Sequence, residues 1–146
     1  QPEANKQAFT EGGFFLTGDL GYFDDANNLT IAGRSKDVID RGGIKFSPRE
    51  VEELLLGHQS IANAAIVGMP DAKLGERSCA FVITKAGGSV SLDEIVKYLR
   101  DNGLATHKLP ERLEIIDQFP VTATGKIQKY LLRERVAERL RKEAAP

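Results

Sequence analysis

The 146-residue sequence predicts an α+β protein: a small α/β domain, a short sheet flanked by helices, preceded by a β-rich segment. Three observations predict it. Up to Gly33 the chain alternates short apolar runs with tight-turn residues. Beyond Gly33-Arg34-Ser35-Lys36-Asp37 and the pair Gly42-Gly43, helical periodicity alternates with strand-like runs. Two Ser-x-x-Glu signatures, Ser47 to Glu50 and Ser91 to Glu94, each stand just before an apolar helical stripe.

Taken in order, residues 1–11 form a polar helix or loop that Gly12-Gly13 ends. FFLTGDLGYFDD follows, with Gly18 and Gly21 breaking its apolar runs. Asp24-Asp25-Ala26-Asn27-Asn28 is a turn cluster, and LTIAG alternates as a strand, so this part reads as a β-meander. Past the joint, VID is a short strand and Arg41-Gly42-Gly43 a loop. A helix begins at Ser47-Pro48-Arg49-Glu50, with Ser47 as cap, Pro48 in the first helical position and Glu50 completing the box. Val51, Leu54 and Leu55 share its buried face, and Gly57 ends it. IANAAIVGMP and SCAFVIT are strands joined by the turn DAKLGE. Ser91 opens a second helix with Ile95, Val96 and Leu99 as its stripe and Asn102-Gly103 as its close. Leu113-Glu114-Ile115-Ile116 is a last strand. An amphipathic helix runs from about Gln128 to Lys142, with Leu131, Leu132, Val136 and Leu140 on its apolar side.

The domain division expected is residues 1–35, a β-rich segment too short to hold a core alone, and residues 36–146, a compact domain. The non-methionine start and polar opening QPEANKQ suggest a piece of a longer protein.

Composition narrows the function. A net charge of −1 gives no electrostatic case for nucleic acid or an anionic membrane. No apolar run approaches the length of a membrane span. The single cysteine, Cys79 in CAFVI, reads as a buried thiol, and without a partner it forms no disulfide, which fits a reducing compartment. His58 and His107 belong to no pattern of metal-ligand spacing, so no metal site is predicted.

Three stretches carry candidate chemistry. In Thr17-Gly18-Asp19, the aspartate either bonds its own turn or accepts two hydroxyl hydrogen bonds of the kind a ribose supplies. Arg34 is either a surface arginine or a fork for a phosphate or carboxylate. Pro120-Val121-Thr122-Ala123-Thr124-Gly125-Lys126 is no P-loop, because position 120 lacks the first glycine and position 127 is isoleucine. It is a Thr- and Gly-rich loop, read as mobile, with one lysine before a helix, either solvated or placed to steady a developing negative charge. The charges of the last helix, Lys129 and Arg133 among them, read as a solvated face.

TGDLGYFDD, LTIAGRSKDVIDRGGIKFSPREVEE and PVTATGK, in that order, resemble the C-terminal third of the adenylate-forming enzymes. That superfamily includes acyl-CoA and aryl-CoA ligases, peptide-synthetase adenylation domains and firefly luciferase. The resemblance implies an acyl-CoA ligase that makes an acyl-adenylate from a carboxylic acid and ATP, then a thioester from the adenylate and CoA. An aryl-acid adenylating enzyme that loads a carrier protein is the alternative, and a non-catalytic interaction module a further one. The resemblance matches Asp19 to the aspartate that holds the nucleotide ribose and Arg34 to the arginine near ribose and phosphate. Lys36 matches the hinge, where family members carry Asp or Lys. Gly42 and Gly43 match the loop lining the pantetheine tunnel, and Lys126 the lysine that bridges carboxylate and phosphate oxygens. It further implies that residues 1–35 end an N-terminal AMP-binding domain, which holds most of the contacts to ATP and its Mg2+. The fragment alone is then expected to be inactive, and the protein cytoplasmic. A lysine acetyltransferase and deacetylase acting on Lys126 are plausible partners.

Overall fold

A computed structural model describes residues 8–145, and the chain forms two compact units, residues 1–36 and 37–146. The helix or loop read for residues 1–11 lies outside the described residues up to position 7.

In the first unit, β1 (Asp19–Phe23) and β2 (Leu29–Arg34) pair as an antiparallel hairpin. Asp24 closes its turn by accepting from the backbone and side-chain amides of Asn28 at 2.8 and 2.9 Å. These bonds, the side-chain one foremost, hold the Asp24 carboxyl below the ordinary carboxylate range. The register slips between Leu20 and Gly21, and a Cβ on Gly21 would stand 2.8 Å from the Thr30 carbonyl oxygen. The expected meander is thus a two-stranded hairpin. Among the described residues the FFL run pairs through the bridge Phe15 to Phe9, with Thr10 N donating to Phe14 O and Leu16 N to Ala8 O beside it, and Gly18, at φ +75°, separates it from β1. No described residue of this unit is buried; Phe14, Phe23 and Tyr22 are among its exposed apolar side chains.

The second unit contains β3 (Ile39–Arg41), β4 (Ile44–Phe46), α1 (Arg49–Leu56), β5 (Ile61–Asp71) and β6 (Gly75–Thr84). After these come α2 (Leu92–Asp101), β7 (Arg112–Ile115) and α3 (Lys129–Glu143). The long β5–β6 hairpin is the spine of a five-stranded sheet. On the far edge of β6, β3 joins antiparallel at Gly75 and β7 joins parallel along Cys79–Val82. β3 and β4 form their own hairpin.

Both faces of the β5–β6 hairpin are covered, which is why its sequence is apolar without strict alternation. Ala64, Ile66, Ala80 and Val82 face a core shared with Val51 and Leu55 of α1 and Ile95 and Leu99 of α2. Ala65, Val67, Met69, Cys79 and Phe81 face the opposite core, closed by Leu132 and Val136 of α3. The result is three layers, two helices on one face and one on the other.

The two helix starts differ. At α2 the box is complete: Ser91 Oγ accepts from Glu94 N, and the Glu94 carboxylate accepts from Ser91 N at 2.7 Å. At α1 the cap position belongs to Pro48, in helical conformation and without a side-chain cap. Ser47 Oγ reaches Arg49 N at 3.3 Å, one residue short of the expected box, while Glu50 meets Lys108 Nζ at 2.5 Å.

Candidate functional site

Strand pairing places the first two candidates together. Asp19 opens β1 and Arg34 ends β2, and the register sets them directly opposite each other. Arg34 Nε lies 3.4 Å from Asp19 Oδ1, both groups open to solvent. The backbone around them is fixed by short bonds: Thr17 Oγ1 accepts from Asp19 N, and Gly18 O accepts from both the backbone and hydroxyl of Ser35. A carboxylate and a guanidinium, side by side on an exposed strand end, present an acceptor for hydroxyls beside a donor fork for a phosphate.

Lys36 occupies a single 3-10 turn, Ser35–Asp37, and the division between the two compact units falls just after it. Its ammonium makes no hydrogen bond or ion pair with any described residue.

Gly42 and Gly43 form the two-residue turn of the β3–β4 hairpin, at φ +62° and +88°. Two successive positive φ values are what a type I′ turn requires, and glycine adopts them without strain. The turn is tied down from outside. Gly42 N donates to Leu74 O and Gly43 N to Asp40 Oδ1, both at 2.8 Å. Asp40 is itself held by its N–H, which donates to Glu76 at 2.9 Å. A Cβ on Gly42 would press on Leu74 at 3.1 Å, whereas one on Gly43 would meet nothing within 4 Å. Gly43 therefore faces open space on a rigid turn.

Lys126 stands on a closed hairpin. Val121 pairs with Ile127, Thr122 N donates to Lys126 O at 2.9 Å, and Gln128 N donates to Pro120 O at 2.8 Å. Gly125, at φ +79°, completes the turn, and Thr122 Oγ1 accepts from Lys126 N while sharing a bond with Thr124. The loop read from sequence is thus a hydrogen-bonded hairpin whose threonines hold the backbone. The Lys126 side chain is exposed and engages no described residue.

The helix after it corrects the sequence reading of a solvated face. Lys129 Nζ lies 2.7 Å from Glu52 Oε1 with both side chains mostly buried, and Arg133 Nη2 lies 3.5 Å from Asp37. Glu52 also accepts from Ile66 N at 2.6 Å. Burial pushes the Glu52 carboxyl above its ordinary value, and Lys129 pulls it back. These partners come from α1 and from the residue after Lys36, which periodicity along one helix cannot reveal. Cys79 is fully buried and its thiol is pushed up to about 12 by desolvation, so it is no nucleophile. Among the described residues no group of three or more His, Cys, Asp or Glu stands close enough to hold a metal ion.

The sequence pattern of the AMP-binding enzyme C-terminal domain matches residues 50–126, from the first turn of α1 to Lys126. The chain belongs to that family. Among curated proteins, the AMP-binding relatives include the medium-chain fatty-acid–CoA ligase of Escherichia coli (strain K12), 45% identical over 96% of this chain. The 2,3-dihydroxybenzoate-AMP ligase of Bacillus subtilis (strain 168) is 44% identical over 94%. In each case the chain spans about a quarter (25%) of the relative's length. Among solved structures, ATP-bound MatB from Rhodopseudomonas palustris superposes with a TM-score of 0.86 at 33% identity, covering 94% of this chain and 27% of MatB. The fold is therefore that of an adenylate-forming ligase's C-terminal portion.

Proposed function

We propose that the chain is the C-terminal portion of an ATP-dependent acyl-CoA ligase. The observation that carries this reading is the pair of hairpins in the second unit. One presents Lys126 with an unengaged ammonium; the other presents Gly43 with no side chain over a fixed turn.

In the first half-reaction a carboxylate oxygen attacks the α-phosphorus of ATP, the bond to pyrophosphate breaks, and an acyl-adenylate forms. Negative charge builds on the phosphoryl and carboxylate oxygens, and Lys126 is the cation that meets it. Asp19 accepts from the ribose hydroxyls and Arg34 donates near ribose and phosphate, their geometry set by strand register. In the second half-reaction a thiolate sulfur attacks the acyl carbon and AMP leaves. The Gly42-Gly43 turn borders the path of the pantetheine arm, where any side chain at position 43 would project. Both loops serve one reacting centre in turn, so the domain rotates between steps, and Lys36 absorbs the change in dihedral angles.

The N-terminal AMP-binding domain, of which residues 1–35 are the last segment, completes the site in the full-length enzyme. It would supply the acid pocket and most contacts to ATP and its Mg2+. The fragment alone is inactive on this reading. No described helix is long and apolar enough to cross a membrane, and the reading places the enzyme in the cytoplasm. The exposed Lys126 ammonium is also accessible to a lysine acetyltransferase and deacetylase, and acetylation would silence it by removing its charge.

A carrier protein is the second candidate for thiol donor, left open because a relative at near-equal identity is named as an aryl-acid AMP ligase and not as a CoA ligase. An assay of acid-dependent AMP release by the full-length enzyme, with CoA or an acyl-carrier protein as acceptor, separates the two. AMP release driven by CoA supports the first reading; release driven by carrier protein alone replaces it; release with neither thiol refutes thioester formation.

A further inference from the structure

α3 begins against the ordinary electrostatics of a helix. Its first residue is Lys129, its first turn carries no acid, and Gln128 supplies no side-chain cap. A positive charge at a helix N-terminus faces the positive end of the helix dipole and is unfavourable. The missing negative charge comes from another element. Glu52 of α1 places its carboxylate 2.7 Å from Lys129 Nζ and anchors its Oε1 on the Ile66 N–H of β5. One turn along the same helix face, Arg133 meets Asp37, the residue after Lys36.

The helix start is joined directly to the Lys126 hairpin. Gln128 N donates to Pro120 O, Val121 bridges Ile127, and Thr122 N donates to Lys126 O, so the hairpin closes on the residue preceding Lys129. Only Ile127 and Gln128 separate Lys126 from Lys129, and both are held by the hairpin's own pairing. The Arg133–Asp37 pair also ties that helix to the residue following Lys36, and the Lys129–Glu52 pair ties it to α1.

We propose that Glu52 is a positioning residue for Lys126, acting through Lys129, with Asp37 and Arg133 extending the clamp to the segment after the hinge. This rests on the role of Lys126 given above. A buried carboxylate on a rigid helix serves better than a surface one, because its partner has a single low-energy place to go.

The test measures the half-reactions separately in the full-length enzyme: acid-dependent pyrophosphate exchange into ATP, and thioester formation from supplied acyl-adenylate. Glu52→Gln keeps an acceptor for Ile66 N and removes the charge that holds Lys129. It should lower kcat for adenylation about 100-fold, the effect of misplacing a reacting group by about 1 Å. KM for the acid and the thioester half-reaction should change little. In the Lys126→Ala background the same substitution should have no further effect, since its route is through the missing lysine. Equal loss of both half-reactions, or loss additive with Lys126→Ala, would show a merely structural role and overturn the inference. If Glu52→Gln does not fold, Lys129→Gln breaks the same pair from the other side; failure of both to fold makes the pair a folding determinant and also overturns it. Normal adenylation by Lys126→Ala would sink the reading of Lys126 itself. Lost adenylation there with unaffected Glu52→Gln would sink only the positioning role.

Discussion

Lys126 and Lys129 stand three residues apart and use the same charge in opposite ways. The first extends into solvent from a hairpin whose threonines spend their hydroxyls on its backbone; the second is folded against Glu52. Free, compact ammonium groups on fixed backbones suit catalysis of charge build-up, and removing one such contact typically costs roughly 100- to 1,000-fold in rate. Lys126→Ala should therefore lose adenylation by that factor, read as pyrophosphate exchange. Lys126 stood out as a candidate only through the resemblance of its loop to a family motif, since the heptapeptide by itself reads equally as a solvated loop, whereas Lys129 looked like any charge on an exposed helix. Its partner lies 77 positions earlier (129 − 52), and no local pattern records such a pairing. Cys79 shows the opposite case, since its burial was plain from the apolar run around it. With its thiol pushed up to about 12, it should resist alkylation at neutral pH in the native protein and react on unfolding, as mass spectrometry would count. Labelling at native rates equal to those in denaturant would contradict its burial.

At the scale of elements, short-range chemistry decided what could be read. α2 was visible because both halves of its box are local. Its pH behaviour follows. The Glu94 carboxyl is lowered, chiefly by its bonds to Ser91, below its ordinary value of 4.5. Its contribution to stability is complete above that value and is lost as pH falls through the lowered one in the folded chain. Ser91→Ala should cost about 1 kcal/mol at neutral pH, the usual value of a cap. It should also shrink the acid-side loss of stability seen in urea titrations; an unchanged acid profile would dissociate Glu94 from the box. β4 was missed because three residues carry no periodicity, yet the two glycines between IDR and IKF are themselves hairpin chemistry. Their positive φ values make the turn intolerant of side chains for conformational reasons, at about 1–2 kcal/mol per non-glycine residue. Gly43→Leu adds a second consequence, because its side chain would occupy the space through which the proposed thiol arm passes.

For the molecule as a whole, the two units differ in how much they can bury. The second closes both faces of its sheet; the first leaves Phe14, Phe15, Tyr22 and Phe23 exposed and buries none of its described residues. The alternation that makes an α+β domain could be read directly, and so could the change of pattern near Gly33. The ion pairs that set Asp37 and Glu52 against α3 could not, because tertiary packing alone brings them together. Two predictions belong at this scale. Calorimetry of the isolated chain should show no tight ATP binding, and micromolar affinity would refute the assignment of the phosphate contacts to the longer protein. Lys36→Pro, which restricts φ in the 3-10 turn between the units, should impair one half-reaction far more than the other in the full-length enzyme. Normal rates in both would remove Lys36 from the hinge.

On the proposed function, two hairpins of one domain serve two successive steps. The most direct test is a crossed comparison of Lys126→Ala and Gly43→Leu in the full-length enzyme, each assayed for pyrophosphate exchange and for thioester formation from supplied acyl-adenylate. Lys126→Ala should lose the first activity and keep the second, while Gly43→Leu should keep the first and lose the second. Parallel losses in both variants would contradict that function.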